Sequence, residues 1–122
     1  MLTHGNFWWN NVNGMHAIDC LAEDVTLTAA PIFHIGGLNA TTLTAFQKGA
    51  LVVLHRSFDP GGALAEIAAS KVTTMFGVPA MFLFMAQHPA FAEPTCRRSV
   101  RLSSAALRAR CRFSRSTRRA AC

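Results

Sequence analysis

Apolar and polar positions alternate along residues 1–94 with two different periods. Phe7, Trp8, Val12, Met15, Ile18 and Leu21 recur at roughly 3.6-residue spacing, which predicts a helix opening at Thr3 or His4 with these residues buried. Asn10, Asn11 and Asn13 fall mostly on the opposite side. Gly14 weakens that helix by up to ~1 kcal/mol relative to alanine. Of Trp8 and Trp9, one ring is expected inside and one near the surface. Val25 to Ala30 reads as a strand that Pro31 stops, because proline donates nothing to a sheet ladder. Gly36-Gly37 is a turn, residues 38–47 read as helical, and Gly49 stands where a helix C-terminal cap is wanted.

Ala50 to Leu54 is a short, wholly apolar run, the pattern of a strand buried on both faces of a parallel sheet. Asp59-Pro60 combines an N-cap acid with proline at the first helical position. The helix it starts runs to about Ser70 and buries Leu64, Ile67 and Ala68. Val72 to Phe76 is a third strand, Gly77-Val78-Pro79 a turn, and Pro79 opens a helix through Met85. Phe82 and Met85 are expected in its core face. Strand and helix alternate at the spacing of a parallel α/β sheet with flanking helices. Three strands leave both sheet edges open, which predicts self-association through them.

Charge divides the chain in two. Residues 1–94 hold three basic and six acidic side chains, a net of −3, whereas residues 95–122 hold nine arginines and no acid. The overall +6 therefore comes from the last 28 residues. Hydrophobic residues make up 51% and charged residues 15%, which excludes a disordered, solvating protein. No apolar run approaches the ~18–20 residues of a membrane span, and no basic-then-apolar leader opens the chain; a cytoplasmic location is the default expectation. Cys20 is alone in the body, with Cys96, Cys111 and Cys122 in the tail and no CxxC pair, so no disulfide framework is expected. His16 and Cys20 are four apart, but no second pair has zinc spacing, and no metal site is expected. His4, His55 and His88 are placed at the surface or in loops.

Three segments stand in register: Thr3-His4-Gly5-Asn6, Pro31-Ile32-Phe33-His34-Ile35-Gly36-Gly37 and Phe76-Gly77-Val78-Pro79-Ala80-Met81, with Ser57-Phe58-Asp59-Pro60 between the second and third. In this order they resemble the AMP-forming acyl-CoA synthetases of the adenylate-forming superfamily, and fatty-acyl-CoA ligases in particular. The resemblance covers residues 1–94 and implies a slice of the large N-terminal α/β region of such an enzyme. It implies a reaction in which ATP, with Mg2+, activates a fatty acid as an acyl-adenylate and coenzyme A takes the acyl group. In the family a Gly/Ser/Thr-rich phosphate loop precedes the Leu-Thr-His-Gly-Asn text. This chain begins just past that loop, so the resemblance implies an inactive fragment that binds none of these cofactors tightly.

By the same resemblance, His34, Gly36 and Gly37 line the acyl and adenylate pocket. His34 is a wall or gate, and the glycines allow close backbone approach. Val78, Pro79 and Ala80 border the same pocket. Read from the residues alone, His34 is an inert loop histidine and the Met/Phe helix is ordinary core. No residue is assigned a catalytic role.

The tail departs from the family, which continues with an acidic-Leu-Ser-Ser-Leu-Arg stretch and then Gly-Gly-Ala-Pro. Joining the third base of each codon to the first two of the next lets residues 94–99 encode Asp-Leu-Ser-Ser-Val. Residues 104–108 become Gly-Gly-Ala-Pro in the same way. Residues 95–122 are therefore expected to be an out-of-frame, disordered tail. The alternative is a small basic protein whose tail binds phosphate backbones. With one aromatic, Phe113, among the arginines, no specific nucleic acid is expected.

Overall fold

A computed structural model of the chain describes residues 1–18, 20–92 and 101–103. Four parallel strands form one sheet in the order β2-β1-β3-β4: β1 Val25–Thr28, β2 Leu51–Leu54, β3 Thr74–Phe76 and β4 Arg101–Ser103. Helices α1 His4–Ile18, α2 Ile35–Gly37, α3 Leu43–Lys48, α4 Pro60–Ala69 and α5 Pro79–Gln87 flank it. A π-helical turn, Leu38–Thr42, joins α2 to α3, and a 3-10 turn, Pro89–Ala92, follows α5.

The α/β parallel architecture is the one expected, and the strand and helix starts follow local chemistry. Asp59 caps α4 by accepting from the Gly62 N–H, with Pro60 behind it at the first helical position. Gly49 closes α3 at φ 77°, a conformation that disfavours any Cβ. Thr3 and Asn6 make a reciprocal cap at the start of α1. The Asn6 amide donates to Thr3 Oγ1 at 3.3 Å, and the Thr3 amide to Asn6 Oδ1 at 2.9 Å.

Strand β1 is central and alternates between two cores. Val25, Leu27 and Ala29 face Ala63, Leu64 and Ile67 of α4 and Met81 and Met85 of α5, together with Met75 of β3. Thr26 and Thr28 point the other way. Their hydroxyls are buried but paired: Thr26 with Thr74 at 2.7 Å, and Thr28 with Thr42 at 2.7 Å. The Thr42 hydroxyl donates onward to the Gly37 carbonyl, also at 2.7 Å, so Thr28 is the donor to Thr42. Asp24 is clamped below the sheet, its carboxylate accepting from the Leu21 N–H and the Thr73 hydroxyl.

Several expectations are corrected. The only buried residue of α1 is Asn11, and Trp8 and Trp9 are both exposed, at 57% and 65%. The helix docks on α3 and the π-turn through its small and polar side, where Asn11 Oδ1 accepts from Thr44 and Asn10 donates to the Asn39 carbonyl. A Cβ on Gly14 would lie 3.1 Å from Thr44 Oγ1, so this glycine is a point of close approach. Leu21, placed on the buried face by its spacing, is exposed. Strand β2 is not buried on both faces: it lies at the edge, with Leu51 and Leu54 exposed at 59% and 54%. Val52 and Val53 alone reach the two cores. Ala68 is exposed, whereas Ala63 takes the core position, and Met81 is buried where Phe82 is only partly so.

Residues 101–103, expected in a disordered tail, pair with β3 in parallel: Thr74 opposite Arg101 and Phe76 opposite Ser103. A parallel partner satisfies the edge of β3 that three strands would leave open. The rest of the tail, with Cys96, Cys111, Cys122 and Phe113, lies outside the described residues.

Candidate functional site

Parallel strands place all their C-terminal ends on one side of the sheet, where ligands bind in open α/β folds. Here β1 and β3 are neighbours, and the chain leaves each of them through a turn that carries predicted site residues. The first turn, Pro31 to Gly37, carries His34, Gly36 and Gly37; the second, Gly77 to Ala80, carries Val78, Pro79 and Ala80. The turns meet through Phe76, the last residue of β3: a Cβ on Gly36 would lie 3.2 Å from Phe76 Cζ. The adjacency of β1 and β3 thus brings the two segments to one end of the sheet.

The first turn is tightly built. The His34 N–H donates to the Pro31 carbonyl at 3.2 Å, and the Leu38 N–H to the His34 carbonyl at 3.1 Å. His34 caps the helix that follows, its Nδ1 accepting from the Gly36 N–H at 3.0 Å. Gly37 is buried against backbone, with room for no side chain: a Cβ there would fall 2.2 Å from the Pro31 carbonyl oxygen. Gly36 has a Cβ position 3.1 Å from His34 Nδ1, so any larger residue would push on the ring. His34 itself is exposed, as are Ile32, Phe33 and Ile35 beside it.

In the second turn Val78, Pro79 and Ala80 are exposed, and Met81 and Met85 turn down into the core. The two turns therefore present apolar side chains and the His34 imidazole. Ile32, Phe33, Ile35 and Val78 are each exposed on these two turns, apolar side chains of the kind that suit the hydrocarbon of a ligand, and His34 adds a polar group.

No cluster of three or more His, Cys, Asp or Glu side chains suited to a metal ion occurs among the described residues. Cys20 is buried, with its thiol 4.0 Å from the Leu21 carbonyl oxygen. His55, which follows the last residue of β2, sits 3.7 Å from Glu66, which also accepts from Ser70, a cluster that spacing alone did not reveal. No described helix is long and apolar enough to cross a membrane.

The sequence profile of the AMP-binding enzymes matches residues 1–115. The chain belongs to that family. It is 44% identical over 89 residues to a feruloyl-CoA synthase from Amycolatopsis, covering 73% of this chain and 18% of that enzyme. It is 38% identical, over the same share of each chain, to the indoleacetate–CoA ligase of Aromatoleum aromaticum. The fold matches that of ATP-bound MatB from Rhodopseudomonas palustris with a TM-score of 0.71 and 26% identity, over 79% of this chain and 19% of that one. The chain is thus of the acyl-CoA synthetase type, and its parallel sheet is part of the N-terminal domain architecture of adenylate-forming enzymes. It spans about a fifth of the length of the curated relatives it matches.

Proposed function

We propose that this chain supplies the acid-binding side of an ATP-dependent acid–CoA ligase and does not carry out the reaction alone. The reaction joins a carboxylate to AMP with release of pyrophosphate, and the CoA thiol then displaces AMP to give the thioester. The observation that carries the reading is the convergence of the His34 and Val78 turns, through Phe76, at the C-terminal end of a parallel sheet. His34, Gly36, Gly37, Val78, Pro79 and Ala80 are the residues that would face the acid. Their apolar rim suits an acid with a large hydrocarbon body. The names of two relatives, feruloyl-CoA synthase and indoleacetate–CoA ligase, favour an aromatic body, with a fatty acid as the competing substrate.

Inactivity of the isolated chain is supported by its short span relative to those enzymes. The purified chain is expected to release no ATP-dependent pyrophosphate with ferulate, indoleacetate or a fatty acid. Release above a heat-killed control would overturn that part of the reading. Replacing the matching segment of the Amycolatopsis enzyme with residues 1–92 tests the other part. The chimera is expected to form an acyl-CoA; a folded chimera that forms none with any of the three acids would contradict the assignment.

A further inference from the structure

Strand β2 is the edge of the described sheet, and its backbone groups face two ways. The Leu51 N–H donates to the Asp24 carbonyl at 3.0 Å and the His55 N–H to the Thr28 carbonyl at 2.9 Å, both toward β1. Backbone direction alternates along a strand, so the N–H and C=O of Val52 and Leu54 point away from β1, to the open edge. Among the described residues no strand pairs with that edge. Its side chains add apolar surface: Leu51 and Leu54 are exposed, and so is Phe46 on α3, the helix that packs against β2. Charge gives the edge a preference. Lys48 stands just before β2 and Arg56 just after it, two of the three basic side chains of residues 1–94, with no acid between them. Both are exposed, and neither is paired with an acid among the described residues. Glu66 comes within 3.7 Å of His55 at one end, but its other carboxylate oxygen accepts from the Ser70 hydroxyl.

We propose that the outer edge of β2 is a docking strand for an extended protein segment with an apolar middle and acidic ends, which joins the sheet as its fifth strand. The backbone of Val52 and Leu54 supplies the ladder, and Leu51 and Leu54 pack against alternate side chains of the segment on the two faces of the sheet. Lys48 and Arg56 select the ends. Because both ends of β2 are positive, the choice of acidic ends holds for a parallel or an antiparallel segment. A second copy is the poorer occupant of the same edge, since pairing in either direction brings basic ends together, and like charges set opposite each other are destabilising. The proposal is independent of the acid-binding reading, which concerns the turns after β1 and β3.

The test titrates a fluorescein-labelled peptide, Glu-Glu-Val-Thr-Val-Thr-Val-Glu-Glu, with the full chain at low salt and follows its anisotropy. One control peptide carries lysine in place of every glutamate. The other is N-methylated at two successive central residues, which removes a ladder donor whichever side faces β2 and leaves the charge unchanged. The nine arginines of residues 95–122 meet the parent peptide and the N-methylated one alike, so the difference between these two reports the edge. The glutamate peptide is expected to bind about tenfold more tightly than either control, a difference of about 1.4 kcal/mol, with the advantage over the lysine peptide shrinking as salt is raised. On binding, amide hydrogen exchange is expected to slow at Val52 and Leu54, and to change little at Leu51 and His55, which already donate to β1. The double variant Lys48→Glu/Arg56→Glu, altered only at exposed side chains, is expected to lose about tenfold in affinity for the glutamate peptide and to gain affinity for the lysine peptide. Equal binding of the glutamate peptide and its N-methylated form, protection that misses Val52 and Leu54, or a double variant that binds both peptides like the parent would each overturn the proposal. So would a chain whose self-association through β2 the glutamate peptide fails to displace in sedimentation, which would make a second copy the occupant.

Discussion

Gly37 is the position at which a single methyl group should do the most damage. In Gly37→Ala the new Cβ would lie 2.2 Å from the Pro31 oxygen, 2.7 Å from its carbonyl carbon and 3.0 Å from the Ala30 oxygen. All three are backbone atoms, and relaxed C···O contacts are about 3.3–3.6 Å, so the turn must open by about 1 Å. Overpacking costs typically about 1–3 kcal/mol, and unyielding backbone puts this case at the upper end, about 3 kcal/mol. For a domain of this size about 1 kcal/mol shifts the melting temperature by about 4–8 °C, so a drop of about 12–24 °C is expected. Two other glycines calibrate the experiment. Gly49 has open space around its Cβ position but a φ of 77°, so Gly49→Ala costs about 1–2 kcal/mol through backbone strain alone. Gly5 in α1 has ordinary contacts, and Gly5→Ala is neutral or stabilising by up to about 1 kcal/mol. Thermal melts followed by circular dichroism give all three values. A Gly37→Ala chain melting within a few degrees of the parent would show that the turn is not packed as described.

The buried threonines give a second graded test. Thr28→Val removes a donor to Thr42 but leaves the Thr42–Gly37 bond, so it should cost about 1 kcal/mol, whereas Thr42→Val strips partners from both Thr28 and Gly37 and should cost about 2–3 kcal/mol; denaturant titration showing the reverse order would contradict the donor direction. The exposed β2 edge should drive association, and Leu54→Lys, a charge at the edge, should shift the sedimentation profile toward monomer; an unchanged profile would place any self-association elsewhere. The arginine-rich segment is proposed to be out of frame, so the coding DNA, read one base pair off from about codon 95, should encode Asp-Leu-Ser-Ser-Val and then Gly-Gly-Ala-Pro. A base order that excludes either string would restore the tail as genuine sequence.

Local signals were legible in the sequence wherever a residue's chemistry is spent within a few positions. Asp59-Pro60 starts α4 and Gly49 ends α3, because each acts on its own backbone, whereas β1 ends at Thr28, short of the Ala30 that Pro31 suggests. The place of the two turns at one end of the sheet was legible too, since it follows from strands running parallel. Burial was harder to read. The apolar spacing in α1 is real, yet the helix seats Asn11 and Gly14 against Thr44, because a close approach of helices favours small and paired polar side chains over large rings. The all-apolar β2 run looks central by composition, but strand order is a tertiary fact, and the centre belongs to β1 with two threonines. Those threonines look like surface residues until their partners at Thr74 and Thr42 are seen, 48 and 14 residues away. The His34 cap was missed for the opposite reason: its partner is two residues on, but histidine is an unusual cap and gives no pattern to read.

The acid-binding role of the sheet end is tested most directly in the chimera carrying residues 1–92 in a feruloyl-CoA synthase. Val78, exposed at the rim, is changed to Phe, and KM is measured separately for ferulate and for ATP. If the two turns form the acid wall, the KM for ferulate changes several-fold and that for ATP stays within about twofold, since a change confined to a hydrophobic pocket is worth about 1–3 kcal/mol. A KM that moves for ATP and not for ferulate would place the acid elsewhere in the enzyme.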